Sequence, residues 1–184
     1  MPKRTLIING SPRPHGNTVA LISEMKKTLE GEVVEISAFR SKIAPCVDCR
    51  GCWETAKCVV RDEMDIVYKD DFDNVVLASP VYFGTLPGSV LSFVSRFQPL
   101  HAAMFFLNIP TGIRPKKAGL ILTAGSRRNE DKALNHVRCL FKLMNATGFE
   151  DHMVKSVLTD TIPADQDEQA KADARALGEW LNQD

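Results

Sequence analysis

Hydrophobic residues along the chain fall into short unbroken runs separated by helical stripes. Leu6-Ile7-Ile8, closed by Asn9-Gly10-Ser11, predicts a strand buried on both faces. Val75-Val76-Leu77-Ala78, stopped by Ser79-Pro80, and Leu120-Ile121-Leu122, ending at Thr123-Ala124-Gly125-Ser126, repeat that form. Glu32 to Ile36 mixes polar and β-branched residues and predicts a less buried strand, and Met153 to Leu158 a last one. Between these runs the period changes. Val19, Ile22, Met25 and Leu29 lie on one helical face, with Asn17 or Thr18 as its cap and Gly31 as its end. Val90, Val94 and Phe97 mark a helix opened by Pro87-Gly88. Ala133, Val137, Leu140 and Met144 mark another, closed by Gly148. The final helix follows Pro163, with Asp165, Asp167 and Glu168 in its first turn and Ala170, Ala174, Leu177 and Leu181 as its stripe. Residues 62–70 predict a short helix, while 40–61 and 98–115 read as loops.

Five strands alternating with helices predict an α/β domain with a parallel sheet and helices on both faces. The 184 residues suit a single domain, 1–184, with no internal repeat or linker. Lys+Arg and Asp+Glu are equal at 23 each, so the formal net charge is zero. Nucleic-acid binding, which calls for a basic excess, is not expected. No apolar run has the length of a membrane span or of a signal-peptide core, so a cytoplasmic location without a membrane is expected.

Ligands in such sheets bind beyond the carboxyl ends of the strands, so the strand-end loops carry the candidate chemistry. After the first strand, Gly10 to Thr18 leads straight into a helix, whose free N–H groups and partial positive charge suit a phosphate. Ser11 and Thr18 offer hydroxyls, Asn17 an amide, Arg13 a fixed charge, and Gly16 a close backbone approach. The loop lacks both Gly-x-Gly-x-x-Gly and Gly-Lys-Ser/Thr, which favours a monophosphate. An ordinary capped loop is the plain alternative. After the third strand, Pro80, Val81, Tyr82, Phe83 and Gly84 form a turn with two adjacent aromatics, suited to a flat ring system or simply to packing. Ala124, Gly125 and Ser126 make a third small-residue loop.

Together, Gly10-Ser11-Pro12-Arg13, Gly16-Asn17-Thr18 and Ser79-Pro80-Val81-Tyr82-Phe83-Gly84 resemble the NAD(P)H-dependent FMN reductase family of the flavodoxin-like superfamily. The resemblance covers nearly the whole chain by element order and residues 5–97 most specifically. It implies a three-layer flavodoxin-like fold with a five-stranded parallel sheet in the order 2-1-3-4-5. It also implies FMN as cofactor, with its phosphate on Ser11, Arg13, Gly16, Asn17 and Thr18, its ring along Pro80, Val81, Tyr82, Phe83 and Gly84, and Ala124, Gly125 and Ser126 bordering it. Where relatives carry a Gly-Gln-Glu-like stretch, this chain has Arg127-Arg128-Asn129-Glu130. The expected donor is NAD(P)H, the acceptor a free flavin, a quinone or a similar small molecule, and the assembly a homodimer or homotetramer. The flavin itself carries the redox chemistry, so no acid–base catalyst is expected.

Four of the five cysteines, Cys46, Cys49, Cys52 and Cys58, are spaced C-x2-C-x2-C-x5-C. Such a cluster suits a [4Fe–4S] group, structural zinc, or free or redox-active thiols. The spacing, followed by Asp62-Glu63-Met64, resembles the iron–sulfur flavoproteins of the same family, which would make the chain an electron carrier fed by ferredoxin-like partners. A non-catalytic thiol-based redox module is the third reading. Cys139, inside a helix beside Leu140, is expected to be a buried structural thiol. His15 is a further candidate at the phosphate loop, and Met104-Phe105-Phe106-Leu107 a candidate cap over the flavin or a subunit contact.

Overall fold

The computed structural model describes residues 2–69, 71–126 and 131–184. Strands β1 (Arg4–Asn9), β2 (Glu32–Ser37), β3 (Asn74–Pro80) and β4 (Lys116–Ala124) pair in parallel in the order β2-β1-β3-β4. The position beyond β4 is shared. The two-residue β5 (Ala146–Thr147) pairs with Lys116 and Lys117, and β6 (Met153–Val157) pairs with Leu120 to Ala124. The expected order is therefore present, with six strands among the described residues rather than five. β1 and β3 have neighbours on both sides and helices on both faces, so every position of β3 before Pro80 is buried. β2 is an edge strand, which accounts for its mixed composition.

Successive strand residues point to opposite faces, and the two cores divide accordingly. Ile7, Val76, Ala78 and Ile121 pack under α1 (Asn17–Lys26) and α7 (Glu168–Asn182). Leu6, Ile8, Val75, Leu77, Leu120 and Leu122 pack under α3 (Met64–Tyr68), α4 (Gly88–Ser95), α5 (Gln98–Ala102) and α6 (Asp131–Leu143). Among the described residues no single helix is long and apolar enough to cross a membrane. Gly178 lets α7 lie against α1, because a Cβ there would stand 2.5 Å from the carbonyl oxygen of Met25.

Several local expectations change. α1 has Gly16 at its N-cap and no side-chain cap. Asn17 instead accepts the N–H of Ala164 at 3.0 Å, and Thr18 bonds Thr123. α6 ends at Leu143 with Asn145 in the left-handed region (φ 52°), and Gly148 lies beyond β5, against Trp180. Residues 98–115 are not all loop. α5 and a π-helical turn, Ala103–Leu107, occupy the first ten. The 40–61 segment contains a short helix, α2 (Cys52–Thr55). Cys139 is exposed, because the buried face of α6 is made by Ala133, Val137, Leu140 and Phe141.

Candidate functional site

The loops leaving β1, β3, β4 and β6 meet at one sheet edge and enclose a cleft of about 340 Å³, within the range of small-molecule sites. Ser11, Arg13, Gly16, Asn17 and Thr18 line it from the first loop, Pro80, Val81, Tyr82, Phe83 and Gly84 from the second, and Ala124, Gly125 and Ser126 from the third. Pro12, Thr123, Thr159 and Asp160 complete the lining. Thr159 and Asp160 went unnoticed in the sequence. β6 is also a parallel strand, so the strand-end rule applied to the other loops would have found them. His15 is exposed and not among the lining residues, and residues 127–130 lie outside those described.

Hydrogen bonds hold the four loops in register. The Ser11 hydroxyl donates to the Arg13 carbonyl at 3.0 Å and accepts the Arg13 N–H at 3.2 Å, closing the first loop on itself. Thr18 Oγ1 and Thr123 Oγ1 lie 2.8 Å apart, tying α1 to the end of β4. The N–H groups of Val81 and Thr159 donate to Thr123 and Ala124. Gly10 allows the first loop to lie flat against α4, since a Cβ there would stand 2.5 Å from Val90 Cγ2. The second loop is a tight turn in which Tyr82 and Thr85 exchange two backbone hydrogen bonds. Its central residues, Phe83 (φ 52°) and Gly84 (φ 77°), are both left-handed, the pattern of a type I′ turn. Phenylalanine is strained there, and the residue is 91% exposed beside the cleft. The Gly84 carbonyl accepts the Ala133 N–H, so α6 braces the turn.

A second, narrow cavity of about 30 Å³ is bordered by Cys46, Cys49, Cys52 and Cys58 together with Trp53 and Arg96. The chain reaches this arrangement through left-handed backbone at Asp48, Arg50 and Ala56. Cys46 N–H donates to Ser95 Oγ at 3.0 Å, and Asp48 N–H donates to Cys46 Sγ at 3.4 Å. Burial pushes the Cys52 thiol pKa up, and the other three cysteines add to the shift. Among the described residues, no three His, Cys, Asp or Glu side chains are gathered closely enough to hold a metal ion as they stand. The π-helical turn packs beside this loop rather than over the large cleft, with Phe106 and Trp53 rings 4.6 Å apart.

Arg96, which nothing in the sequence singled out, is 1% exposed at the end of α4. Its guanidinium meets Asp62 Oδ2 at 2.5 Å, the Ala44 carbonyl at 2.9 Å and Cys58 Sγ at 3.4 Å. Burial opposes its charge. The Asp62 hydrogen bond, with smaller help from Tyr68 and Cys58, outweighs burial and raises its pKa. Burial likewise works to raise the Asp62 pKa, but hydrogen bonds from Arg96, Met64 and Ala44 hold it below the usual carboxylate value.

A family model described as NADPH-dependent FMN reductase matches residues 4–156. An iron–sulfur flavoprotein from Methanocaldococcus jannaschii is 33% identical over 127 residues, covering 66% of this chain and 62% of that protein. Another, from Methanosarcina thermophila, is 30% identical over 127 residues, covering 66% and 63%. The chain thus spans less than two thirds of the length of these curated relatives. Among solved structures, an FMN-dependent NADH-azoreductase from Bacillus anthracis in complex with FMN has a TM-score of 0.67 at 12% identity, covering 98% of this chain and 100% of that one. A flavodoxin, WrbA-like protein from Agrobacterium tumefaciens has a TM-score of 0.61 at 14% identity, covering 98% and 95%. These two likenesses establish a flavodoxin-like fold, and with the family match over most of its length the chain belongs to the NADPH-dependent FMN reductase family.

Proposed function

We propose that the chain binds FMN in the large cleft and passes electrons from NAD(P)H through it to a small acceptor such as free flavin or a quinone. The observation that carries this reading is the convergence of the strand-end loops on a single cleft at the carboxyl edge of the sheet. Bound FMN supplies the redox chemistry; the protein supplies position and electrostatics. The Ser11 hydroxyl donates its proton to the Arg13 carbonyl and shapes the loop, whereas the Thr18–Thr123 pair uses one of its two hydroxyl protons and leaves the other free to donate. Direct contact with the phosphate then falls to the Arg13 guanidinium, the amide nitrogen of Asn17, the Thr18 hydroxyl and the first N–H groups of α1, on a loop that Ser11 shapes. Gly16 keeps that approach open. Pro80, Val81, Tyr82, Phe83 and Gly84 hold one side of the ring, with Ala124, Gly125 and Ser126 bordering the other. The exposed Phe83 stands at the cleft mouth, where an FMN ring would cover it.

A second reading concerns the cysteine cavity and extends the first. The four thiols around one cavity are spaced C-x2-C-x2-C-x5-C, a denser run than the two separated pairs of a zinc ribbon, which disfavours zinc. The donor set fits a polynuclear iron–sulfur group, whose irons each take one outward thiolate. Relatives named iron–sulfur flavoprotein support the same assignment. On this reading Cys46, Cys49, Cys52 and Cys58 hold a [4Fe–4S] cluster, and a ferredoxin-like protein is the electron partner. Assembly as a homodimer or homotetramer belongs to both readings, and exposed Phe105, Phe106 and Ile109 offer apolar surface for it.

The test is an absorption spectrum of protein purified without oxygen, with FMN and iron counted per chain, followed by reduction with NADH and NADPH. Flavin reduced by either nicotinamide supports the reductase. Flavin with about four irons and poor nicotinamide turnover supports the electron carrier. Flavin that neither nicotinamide reduces, without iron, points to a thiol redox module. No flavin after FMN is added refutes the reading.

A further inference from the structure

Burying an arginine is costly unless its charge is paired and its five donors are used. Arg96 is 1% exposed, and nearly all of that requirement is met inside the protein. Nη1 donates to Asp62 Oδ2 at 2.5 Å and to the Ala44 carbonyl at 2.9 Å. Nη2 donates to the Val60 carbonyl at 3.3 Å and to Cys58 Sγ at 3.4 Å. The Nε–H is buried and, among the described residues, has no protein partner. Arg96 also borders the cavity that Cys46, Cys49, Cys52 and Cys58 line. A buried cation therefore stands at the wall of a four-thiol site. It already donates to one sulfur and has one donor left over.

A cluster held by four thiolates is anionic, and each electron it accepts adds a negative charge. Hydrogen bonds to the sulfurs and positive charge nearby both favour the reduced form. Asp62, 2.5 Å from Nη1, offsets much of the Arg96 charge at longer range, so the effect is carried chiefly by direct N–H···S hydrogen bonds.

We propose that Arg96 is the positioning residue of the cysteine site, donating from Nη2 to Cys58 Sγ and from its spare Nε–H to the iron–sulfur group, so that the group is easier to reduce. The proposal rests on the iron–sulfur reading of the four cysteines. It assigns a role to a residue outside the cysteine motif, thirty-eight positions beyond Cys58 in the sequence. The relevant reaction is a one-electron reduction of the cluster, with dithionite as the reductant in the test and no bond made or broken.

The experiment compares the wild type with Arg96→Gln and Arg96→Lys, all purified without oxygen and still carrying FMN. Iron per chain is counted, and the cluster midpoint is read by dithionite titration followed by electron paramagnetic resonance. In Arg96→Gln we expect the midpoint to fall enough to lower the reduced-to-oxidised ratio about tenfold at fixed potential, which is 59 mV for a one-electron couple. Arg96→Lys keeps the cation and a partner for Asp62 but loses the planar fork, so a smaller fall in the same direction is expected. A residue that only braced the loop would change iron content or melting temperature and leave the midpoint of the formed clusters where it was. Equal midpoints in the wild type and Arg96→Gln overturn the proposal and leave the iron–sulfur reading standing. Wild type without iron overturns both. If Arg96→Gln loses FMN and its native circular dichroism, Arg96→Lys decides alone, and a midpoint equal to that of the wild type overturns the proposal.

Discussion

Replacing Gly10 by alanine tests whether the packing under the first loop sets the shape of the cleft. A Cβ on Gly10 would stand 2.5 Å from Val90 Cγ2 and 3.0 Å from Ser79 Oγ. Carbon–carbon contacts are comfortable at about 3.5–4.0 Å, so roughly 1 Å of movement is needed. Val90 and Ser79 are both fully buried and cannot swing aside. The movement must therefore come from the loop or from α4, and both border the cleft or its supports. Overpacking of this kind costs about 1–3 kcal/mol. For a chain of this size that lowers Tm by roughly 2–12 °C. If the lifted loop loses one charged hydrogen bond to the FMN phosphate, worth about 1.5–3 kcal/mol, Kd rises roughly 10- to 150-fold. Gly88→Ala is the control. Among the described residues nothing lies within 4 Å of a Cβ there, and it opens α4. It should leave FMN binding unchanged and raise stability by at most about 1 kcal/mol. Thermal unfolding without ligand and quenching of flavin fluorescence read the two effects. The reasoning is refuted if Gly10→Ala melts with the wild type and binds FMN equally well, or if Gly88→Ala does the same damage.

Other outcomes follow from the same geometry. Arg13→Ala should weaken FMN at least tenfold, from one lost charged contact of about 1.5–3 kcal/mol, while riboflavin, which has no phosphate, binds as before; equal losses would remove Arg13 from the phosphate site. Phe83→Asn should stabilise the free protein by up to about 1 kcal/mol by relieving left-handed strain yet weaken FMN binding, both read by thermal melts with and without FMN. The Asp62 pKa is lowered in the folded protein from an ordinary 3.8, so its contribution to stability is full above about pH 4 and fades as pH falls through the folded value. Asp62→Asn should accordingly cost roughly 1.5–3 kcal/mol at pH 7, with the gap in urea midpoint closing below about pH 4; a constant gap would show that the charge is irrelevant. Cys139→Ser should change stability by no more than about 0.5 kcal/mol and leave iron and FMN counts unchanged, because its thiol is exposed.

The alternation of apolar runs and helical stripes determined the layer order, because a strand covered on both faces must be apolar throughout, as Leu6-Ile7-Ile8 and Val75 to Ala78 are. Loops built from Gly, Ser, Pro and Asn at strand ends were legible for the same local reason, and the thirteen residues picked out in them all border one cleft. Tertiary structure decided the rest, where a side chain's partner is distant in sequence. Asn17 reads as a cap, but the N–H of Ala164, 147 residues on, claims its oxygen. Gly148 reads as a helix stop, but Asn145 reaches the left-handed turn first and donates to the Ile113 carbonyl. Cys139 reads as buried beside Leu140, yet adjacent helical residues point about 100° apart, and only the packing of α6 says which one faces in. Arg96 is the strongest case. Nothing local marks a buried arginine, and its place beside Cys58 exists only once the end of α4 packs against the cysteine loop. Sequence pattern reports what each segment prefers by itself. Which buried polar groups meet is settled when those segments pack and each donor must find an acceptor out of reach of water.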